Sequence, residues 1–317
     1  MNRIVRFMMP AIILAVAFPA VYGQPGNASL NRDLAPSGKG VGTLYNPGQA
    51  GAHEGGPRDA GNGNGGGGKS DNGIYAHGGP VMLGETKIYY IWYGNWGSNT
   101  ANGILTDFAH SIGGTPYFNI NTTYTNASGV AVSNLVSFAN SIMDTGTSKS
   151  LSDANIQTIV ANAITSGRLP SDENGVYFVL TSAEVTASSG FCTQYCGWHT
   201  RFTLNGKVIK YSFVGNPDRC PSACSMQTTS PNDNAGADGM ASIIAHELEE
   251  AVTDPELNAW YDRRGYENAD KCAWTFGSTS TAPNGSLYNM TMGNRNWLIQ
   301  QNWVNAAGGY CAKVYPK

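Results

Sequence analysis

The segment His246-Glu247-Leu248-Glu249-Glu250 carries the residue types most able to do chemistry in this chain. His246 and Glu250 are four residues apart, so a helix presents both side chains on one surface, as two metal ligands require. Glu247 follows the first ligand directly, where zinc peptidases with the related His-Glu-x-x-His pattern carry their general base. A carboxylate replaces the second imidazole, a ligand that zinc accepts and that also suits calcium or manganese. The spacing predicts a metal site at His246 and Glu250, with Glu247 as the catalytic residue.

The helix predicted over residues 240–253, which Pro255 ends, has one apolar face, and Glu247 falls in the middle of it. A carboxylate that faces a core is costly unless it is paired, hydrogen-bonded or bound to a cation. His246 and Glu250 lie side by side on the flank of that face. Glu249 points to the opposite side and is interpreted as an ordinary solvated acid. The alternative interpretation is a helix with acids near its end, in which Glu250 and Asp254 are merely solvated.

A third ligand is expected from residues 260–272, because this segment can fold back toward the predicted helix. Glu267 is the preferred candidate, Asp270 the second and Asp262 the third. Cys272 would pin the segment through a disulfide. His199 is a further candidate ligand, since it lies three residues after a cysteine that would hold it in place.

Patterns of apolar residues predict the elements that position these motifs. Strands are expected where β-branched and aromatic residues cluster, and helices where apolar residues recur at helical spacing. The predicted strands are 86–93, 176–181, 207–214, 297–303 and 310–315, and the predicted helices are 104–112, 152–166 and 240–253. The fold class is therefore α/β or α+β, in a single mixed domain over residues 74–317 with a zincin-like active-site helix and disulfide staples.

The N-terminal residues predict export. Residues 1–23 contain Arg3 and Arg6, an apolar stretch and then small residues, which is typical of a secretory signal peptide. The apolar stretch is too short for a convincing membrane span, so no stable membrane insertion is expected after its removal. Residues 24–73 are Gly-rich with few large apolar side chains, which predicts a disordered spacer. We expect a secreted, extracellular protein.

The charge of the chain excludes one class of partner. Residues 1–23 contain two arginines and no acid, so the remainder has 17 Lys and Arg against 22 Asp and Glu, and its net charge is 17 − 22 = −5. Basic residues are not clustered anywhere in the sequence. A nucleic-acid partner therefore has no electrostatic basis.

Six cysteines follow the predicted signal peptide, and an even count in an exported chain indicates three disulfides. Fifteen pairings are open, among Cys192, Cys196, Cys220, Cys224, Cys272 and Cys311. The first four could instead form a four-thiolate zinc site, but an oxidising compartment disfavours that alternative.

Five aromatic residues lie close together around Tyr93, and their rings could stack on sugar rings. This aromatic run consists of Tyr89, Tyr90, Trp92, Tyr93 and Trp96. Because alternate residues of a strand face opposite ways, about half of the run is expected to belong to the core.

Several separate blocks then occur in one order along the chain. They are Ile91-Trp92-Tyr93-Gly94, Phe191-Cys192, Cys196-Gly197-x-His199, Phe213-Val214-Gly215-Asn216, Cys220-Pro221, Pro231-Asn232, Asp238-Gly239-Met240, His246-Glu247-Leu248, Asn258-Ala259-Trp260-Tyr261 and Trp297-Leu298-Ile299-Gln300. In these blocks the chain resembles the EXORDIUM, or phosphate-induced protein 1, family from about residue 74 to its end. Its Gly-rich spacer and Asp254-Pro255 resemble a microbial member more than a plant one.

The resemblance implies an extracellular or cell-wall protein, a family associated in plants with growth, and it implies no particular reaction. Two functions follow from the residues. The first is a secreted, zincin-like hydrolase acting on peptides, with zinc held by His246, Glu250 and Glu267 and water activated by Glu247. The alternative is a non-catalytic extracellular or cell-wall protein with a structural metal or a carbohydrate-binding role. The expected partners are a peptide or a cell-wall polysaccharide.

Overall fold

A five-stranded sheet forms the centre of residues 73–316, the part of the chain that this computed structural model describes. The predicted signal peptide and spacer, up to residue 72, lie outside the described residues. In spatial order the strands are β3 (Val136–Asp144), β2 (Thr86–Tyr93), β5 (Gly175–Thr181), β8 (Lys207–Val214) and β7 (Gly197–Leu204). The first four are parallel to one another, and β7 at the edge is antiparallel to β8.

Helices cover both faces of this sheet, so its central strand β5 is buried along its whole length. The helices are α1 (Ala101–Ser111), α2 (Asp153–Thr165), α3 (Pro221–Cys224) and α4 (Ala235–Thr253), with 3₁₀ turns at Phe118–Thr123, Pro217–Arg219 and Asp270–Cys272. The β2–α1–β3 and β3–α2–β5 connections run in opposite directions along the sheet. Right-handed crossovers therefore put α1 and α2 on opposite faces, and α4 packs beside α1.

Short strand pairs, most of them from the C-terminal half of the chain, complete the domain. Those strands are β1 (Tyr75–Ala76), β4 (Ser150–Leu151), β6 (Thr186–Ala187), β9 (Trp260–Tyr261), β10 (Ser280–Thr281), β11 (Leu287–Tyr288), β12 (Met290–Met292), β13 (Arg295–Trp297), β14 (Asn302–Val304) and β15 (Tyr310–Ala312). The pairs β1–β9, β10–β11, β12–β13 and β14–β15 are antiparallel, whereas β4–β6 is parallel. The predicted single mixed domain is confirmed, as an α+β fold.

Helix α4 is longer than the predicted segment 240–253. It begins five residues earlier, where the Asn234 side chain accepts a hydrogen bond from the Ala237 backbone N–H. It ends at Thr253, as predicted, since Pro255 cannot continue it. The sheet and α1 enclose the helix on more than one side, so polar positions are buried along with apolar ones.

The prediction that Glu249 is a solvated acid is wrong. It is completely buried, and its Oε2 accepts a hydrogen bond from the Tyr117 hydroxyl at 2.9 Å. The prediction assumed that one face of the helix is solvated, whereas the loop and 3₁₀ turn before Tyr124 cover that face of α4. A periodicity argument that considers one helix cannot detect such a cover.

The aromatic run, four residues of strand β2 and Trp96 in the loop after it, belongs to the core. All five rings, those of Tyr89, Tyr90, Trp92, Tyr93 and Trp96, are at most 5% exposed. The sugar-stacking interpretation of this strand is therefore wrong, because both faces of a central parallel strand are covered and neither offers a ring to solvent.

Three disulfides connect all six cysteines, as predicted. The pairs are Cys192–Cys220, Cys196–Cys224 and Cys272–Cys311. The four-thiolate zinc alternative is therefore wrong. Among residues 73–316, none of the helices combines the length and apolar character that a membrane crossing requires.

Candidate metal centre

Strand β7, helix α4 and the segment 260–272, called the 260s loop below, meet around two histidines and several acids. His246 and Glu250 come from α4, and the His246 Nε2 lies 2.9 Å from the Glu250 Oε1. The 260s loop brings the Asp270 Oδ1 to 3.6 Å from the same His246 nitrogen. The His199 Nε2, from β7, lies 3.1 Å from the Glu267 Oε2 and 3.8 Å from the Glu250 Oε2.

A glycine lets β7 approach α4 closely enough to form this cluster. A Cβ atom on Gly197 would lie 2.5 Å from the Ile243 Cγ2 and 2.9 Å from the Glu247 Oε1. Real Cβ atoms do not approach other atoms that closely, so any larger residue would push strand and helix apart. His199, two residues further along the strand, points to the same side as Gly197 and therefore toward the helix.

The 260s loop is held in place by its own polar groups. The Asp262 Oδ1 accepts hydrogen bonds from the backbone N–H groups of Arg264 and Tyr266, which closes a turn. The Asp270 Oδ2 accepts from the Glu267 backbone N–H at 3.1 Å. The Cys272 disulfide then ties the end of the loop to β15. These contacts fix the direction in which Glu267 and Asp270 face α4.

The cluster is removed from solvent. His246, Glu247 and Glu250 are 0% exposed, and His199 and Glu267 are 2% exposed. Four carboxyl groups, from Glu247, Glu250, Glu267 and Asp270, share this volume with two imidazoles. Charged carboxylates in such a place need compensation by a proton or a cation, because each costs several kcal/mol to desolvate.

Burial changes the protonation of the cluster. It raises the pKa of Glu250 to about 7, an effect that the neighbouring His246 charge partly offsets. It also raises the pKa of Glu267 well above the ordinary value, together with repulsion from Glu250, and raises that of Asp270. Burial and the His246 charge lower the pKa of His199 to about 3, so this ring is neutral at pH 7. Burial alone would lower the pKa of His246, but the acids around it raise it well above the usual value.

Gln300 is a functional neighbour that the sequence did not reveal. Its side-chain amide nitrogen contacts the His246 Nδ1, the ring nitrogen that faces away from Glu250. With its amide oxygen accepting a hydrogen bond from Nδ1–H, Gln300 would orient the ring so that Nε2 faces a cation. The residue was predicted inside a strand over 297–303, whereas β13 ends at Trp297 and β14 begins at Asn302. Strand patterning carries no signal for such a contact.

The predicted candidates divide into two groups. His246, Glu250, Glu267, Asp270 and His199 converge in one cluster. Asp262, the third choice among the loop acids, does not join them. It accepts from the Lys271 ammonium at 3.2 Å and stabilises the turn instead.

The converging atoms fit a divalent cation. A cation bonded to two atoms at about 2.1 Å holds those atoms roughly 3.0–3.4 Å apart, close to the separations across this cluster. Within residues 73–316, the Glu250 Oε2 and the Glu267 Oε1 are buried and have no hydrogen-bond donor. Carboxylate oxygens in that condition are suited to accept a metal ion. Two imidazoles favour zinc or manganese over calcium, which prefers oxygen ligands alone.

A separate cleft of about 690 Å³ lies where strands β2, β3 and β5 end. Residues 94–97 and 145–149 line it together with Glu184. The carboxyl ends of parallel strands are common positions for ligand pockets. None of the histidines or acids of the metal cluster lines this cleft.

Comparison with known proteins gives one family. The model of the family described as "Phosphate-induced protein 1 conserved region" matches residues 74–306. The chain is 32% identical over 270 residues to Protein EXORDIUM-like 5 of Arabidopsis thaliana, covering 72% of this chain and 74% of the relative. It is 30% identical over 276 residues to Protein EXORDIUM-like 3 of the same plant, covering 74% and 81%.

A more distant relative is Protein PHOSPHATE-INDUCED 1 of Nicotiana tabacum, 24% identical over 215 residues, or 58% of this chain and 66% of the relative. No solved structure matches the chain. The matched region begins at the first described residues and includes all the elements that carry the metal cluster.

Proposed function

The chain belongs to the phosphate-induced protein 1 family, and we propose that it is a secreted metal-binding member whose buried histidine–carboxylate cluster holds a divalent cation, zinc first. The observation that carries the proposal is the convergence of two imidazoles and four carboxyls at a fully buried point. The cation would join α4, β7 and the 260s loop, three elements that are far apart in sequence. Its role is therefore structural in the first instance.

Burial is the reason for ranking the structural role first. Structural metal sites are closed by protein ligands, whereas a catalytic metal keeps one position open for water or substrate. His199, His246, Glu250 and Glu267 supply a full set of donors and are at most 2% exposed. Such a site contributes to the free energy of unfolding because the unfolded chain does not present it.

Chelation followed by thermal melting tests this role. A metal in about 1,000-fold excess over its dissociation constant adds about 4 kcal/mol, which corresponds to roughly 8–16 °C in a domain of this size. EDTA should lower the melting temperature by that amount, and zinc should restore it. His246→Gln should melt at the temperature of the chelated protein. The control His110→Gln, at an exposed position, should still show the changes in melting temperature with EDTA and zinc. A melting temperature that does not respond to EDTA or zinc would refute the proposal.

Hydrolysis is the second candidate function, favoured by the place of Glu247 in one buried group with His246 and Glu250. A bound divalent cation would supply a Lewis acid and a more acidic water. Glu247, adjacent to the first ligand, would take a proton from that water, as the corresponding residue does in His-Glu-x-x-His peptidases. The edge strand β7 pairs with β8 on one side. An extended peptide could add along its other side.

A matched substitution separates the two functions. Glu247→Gln keeps the shape of the side chain and removes its basicity. Metal content retained with peptidase activity lost, on a broad peptide library, would support catalysis. Purified, zinc-loaded wild-type protein that cleaves nothing in the library would leave the structural role as the function of the centre.

Export and partners are part of the proposal. Three disulfides form within the described residues, which suits an oxidising compartment. A peptide or cell-wall polysaccharide would contact the cleft at the ends of β2 and β3, whose lining includes hydroxyl groups, Lys149 and Glu184. Lys149→Met should weaken binding to a glycan or peptide array, whereas Lys207→Met, on the far end of β8, should not.

A further inference from the structure

The donors of the candidate metal centre form two groups that share Glu250. In one group, the His246 Nε2 lies 2.9 Å from the Glu250 Oε1 and 3.6 Å from the Asp270 Oδ1. In the other, the His199 Nε2 lies 3.8 Å from the Glu250 Oε2 and 3.1 Å from the Glu267 Oε2. The two histidines therefore approach opposite oxygens of one carboxylate. Such a carboxylate is a potential bridge.

Each histidine has enough donor atoms around it to hold an ion by itself. His199, Glu250 and Glu267 can bring one donor atom each within 4.8 Å of the others, and so can His246, Glu247 and Glu250. The first group draws on β7, α4 and the 260s loop, and the second on α4 alone with Asp270 beside it. The two groups meet only at Glu250.

Two oxygens identify the second position. The Glu250 Oε2 and the Glu267 Oε1 are both buried, and neither has a hydrogen-bond donor among residues 73–316. Both residues belong to the His199 group. An ion placed only between His246 and the Glu250 Oε1 would leave these two atoms uncompensated.

The charge of the cluster also favours two cations over one. Its four carboxyls, from Glu247, Glu250, Glu267 and Asp270, are buried together with two imidazoles. Metal ligation requires neutral rings and ionised acids, and in that state the cluster carries four negative charges. One divalent cation cancels two of them, and two cations cancel all four. Residual buried charge is the costlier arrangement.

We propose that the centre binds two divalent cations, one at His246, Glu250 and Asp270 and the other at His199, Glu250 and Glu267, with Glu250 as the bridging ligand. This inference rests on the proposed metal-binding function. Paired ions in proteins lie about 3.5–4 Å apart, a separation that the two oxygens of one carboxylate can span. The centre is then a two-metal site, the arrangement found in several classes of hydrolase.

Metal stoichiometry tests the inference directly. The full secreted chain is stripped with EDTA, loaded with Zn²⁺, freed of excess metal by gel filtration and measured by elemental analysis. Two zinc ions per chain are expected for wild type, and one for His199→Gln. The control Asp238→Asn, which changes a buried acid in the first turn of α4 that bonds to Asn232 and lies outside both groups, should retain two.

The outcomes separate the two proposals. One zinc per wild-type chain overturns the second ion and leaves the proposed function standing, whereas no zinc overturns both. Two zinc ions that persist in His199→Gln also overturn the inference, because the second ion then lies elsewhere.

A measurement on wild type alone covers the case in which His199→Gln fails to fold. Loading with Mn²⁺ should give an electron paramagnetic resonance spectrum of a spin-coupled pair. A six-line spectrum of isolated Mn²⁺ would show that the ions do not share a bridge, and would overturn the inference.

Discussion

Replacement of Glu250 by glutamine should have opposite effects on stability with and without metal. The substitution keeps the shape of a completely buried side chain and removes one charge. In zinc-loaded protein it deletes a shared ligand and leaves the cation and the remaining acids poorly matched. Breaking a buried ionic contact of this kind costs about 3–5 kcal/mol, or roughly 6–20 °C of melting temperature. In EDTA the same change removes a buried carboxyl that His246 attracts but that Asp270 and Glu267 repel. Since burial and repulsion outweigh the attraction and raise the pKa of Glu250 to about 7, the variant should melt at or above wild type.

The assay is a thermal melt of wild type and Glu250→Gln at pH 7, each with zinc and with EDTA. Glu256→Gln is the matched control, because Glu256 is a half-buried acid near the same helix whose contact with Arg201 spans 3.6 Å. A partly exposed pair of that kind is worth at most about 1 kcal/mol, with or without metal. If Glu250→Gln lowered the melting temperature equally in zinc and in EDTA, the side chain would serve packing or hydrogen bonding, and the reasoning would be refuted.

Three further predictions concern pH, strand approach and the loop disulfide. The pKa of Glu250 rises from 4.5 in the unfolded chain to about 7 in the folded protein. In EDTA, such a carboxyl contributes stability that is full below pH 4.5 and is lost as the pH rises through 7. With zinc, stability should instead rise over that range, because protons no longer compete for the ligands. Gly197→Ala should weaken zinc binding at least about tenfold, since its Cβ would displace β7 from Glu247 and α4. Removing the Cys272–Cys311 disulfide by paired serines should cost about 2–5 kcal/mol and also weaken zinc binding, because the 260s loop loses its tether.

Each of these has its own control. Melts from pH 4.5 to 8 in both buffers check the first, and parallel pH profiles in zinc and EDTA would contradict it. Gly103→Ala, at a position in α1 where a Cβ meets nothing within 4 Å, should leave zinc affinity unchanged and raise stability by up to about 1 kcal/mol. Removal of the Cys192–Cys220 disulfide should lower stability without changing zinc affinity. An equal loss of affinity in both disulfide variants would show that the tether of the 260s loop does not position the zinc ligands.

Several elements were predictable because local chemistry determines them. Strands β2 and β8 lie over the residues predicted, since runs of β-branched and aromatic residues have no good alternative conformation. Helix α2 begins after Ser152, whose side chain and that of Asn155 cap each other's backbone N–H groups. The end of α4 at Thr253 followed from the proline after it.

Other elements depend on contacts that a single sequence does not display. Strand β3 contains Asn140 and Ser141 and has an irregular register beside β2, so it lacks a clear strand pattern. Strand β7 follows a disulfide-rich turn and owes its position to pairing with β8. It was missed, although His199 on it had been considered as a ligand.

The candidate site divides in the same way. His246 and Glu250 could be paired from spacing alone, because helical geometry requires it. The position of the 260s loop in the sequence made the approach of Glu267 and Asp270 to α4 predictable. It did not predict that each of these acids faces a different histidine. That arrangement depends on the turn at Asp262 and on the Cys272 disulfide, both of which are tertiary features.

Anomalous diffraction at the zinc absorption edge, from crystals of the protein grown with zinc, tests the central claim most directly. The account predicts a peak within about 2.0–2.2 Å of the His246 Nε2 and a Glu250 oxygen, deep between α4 and the 260s loop. No anomalous peak at that point, with the buried carboxyls joined to one another and to the imidazoles by direct hydrogen bonds, would contradict it.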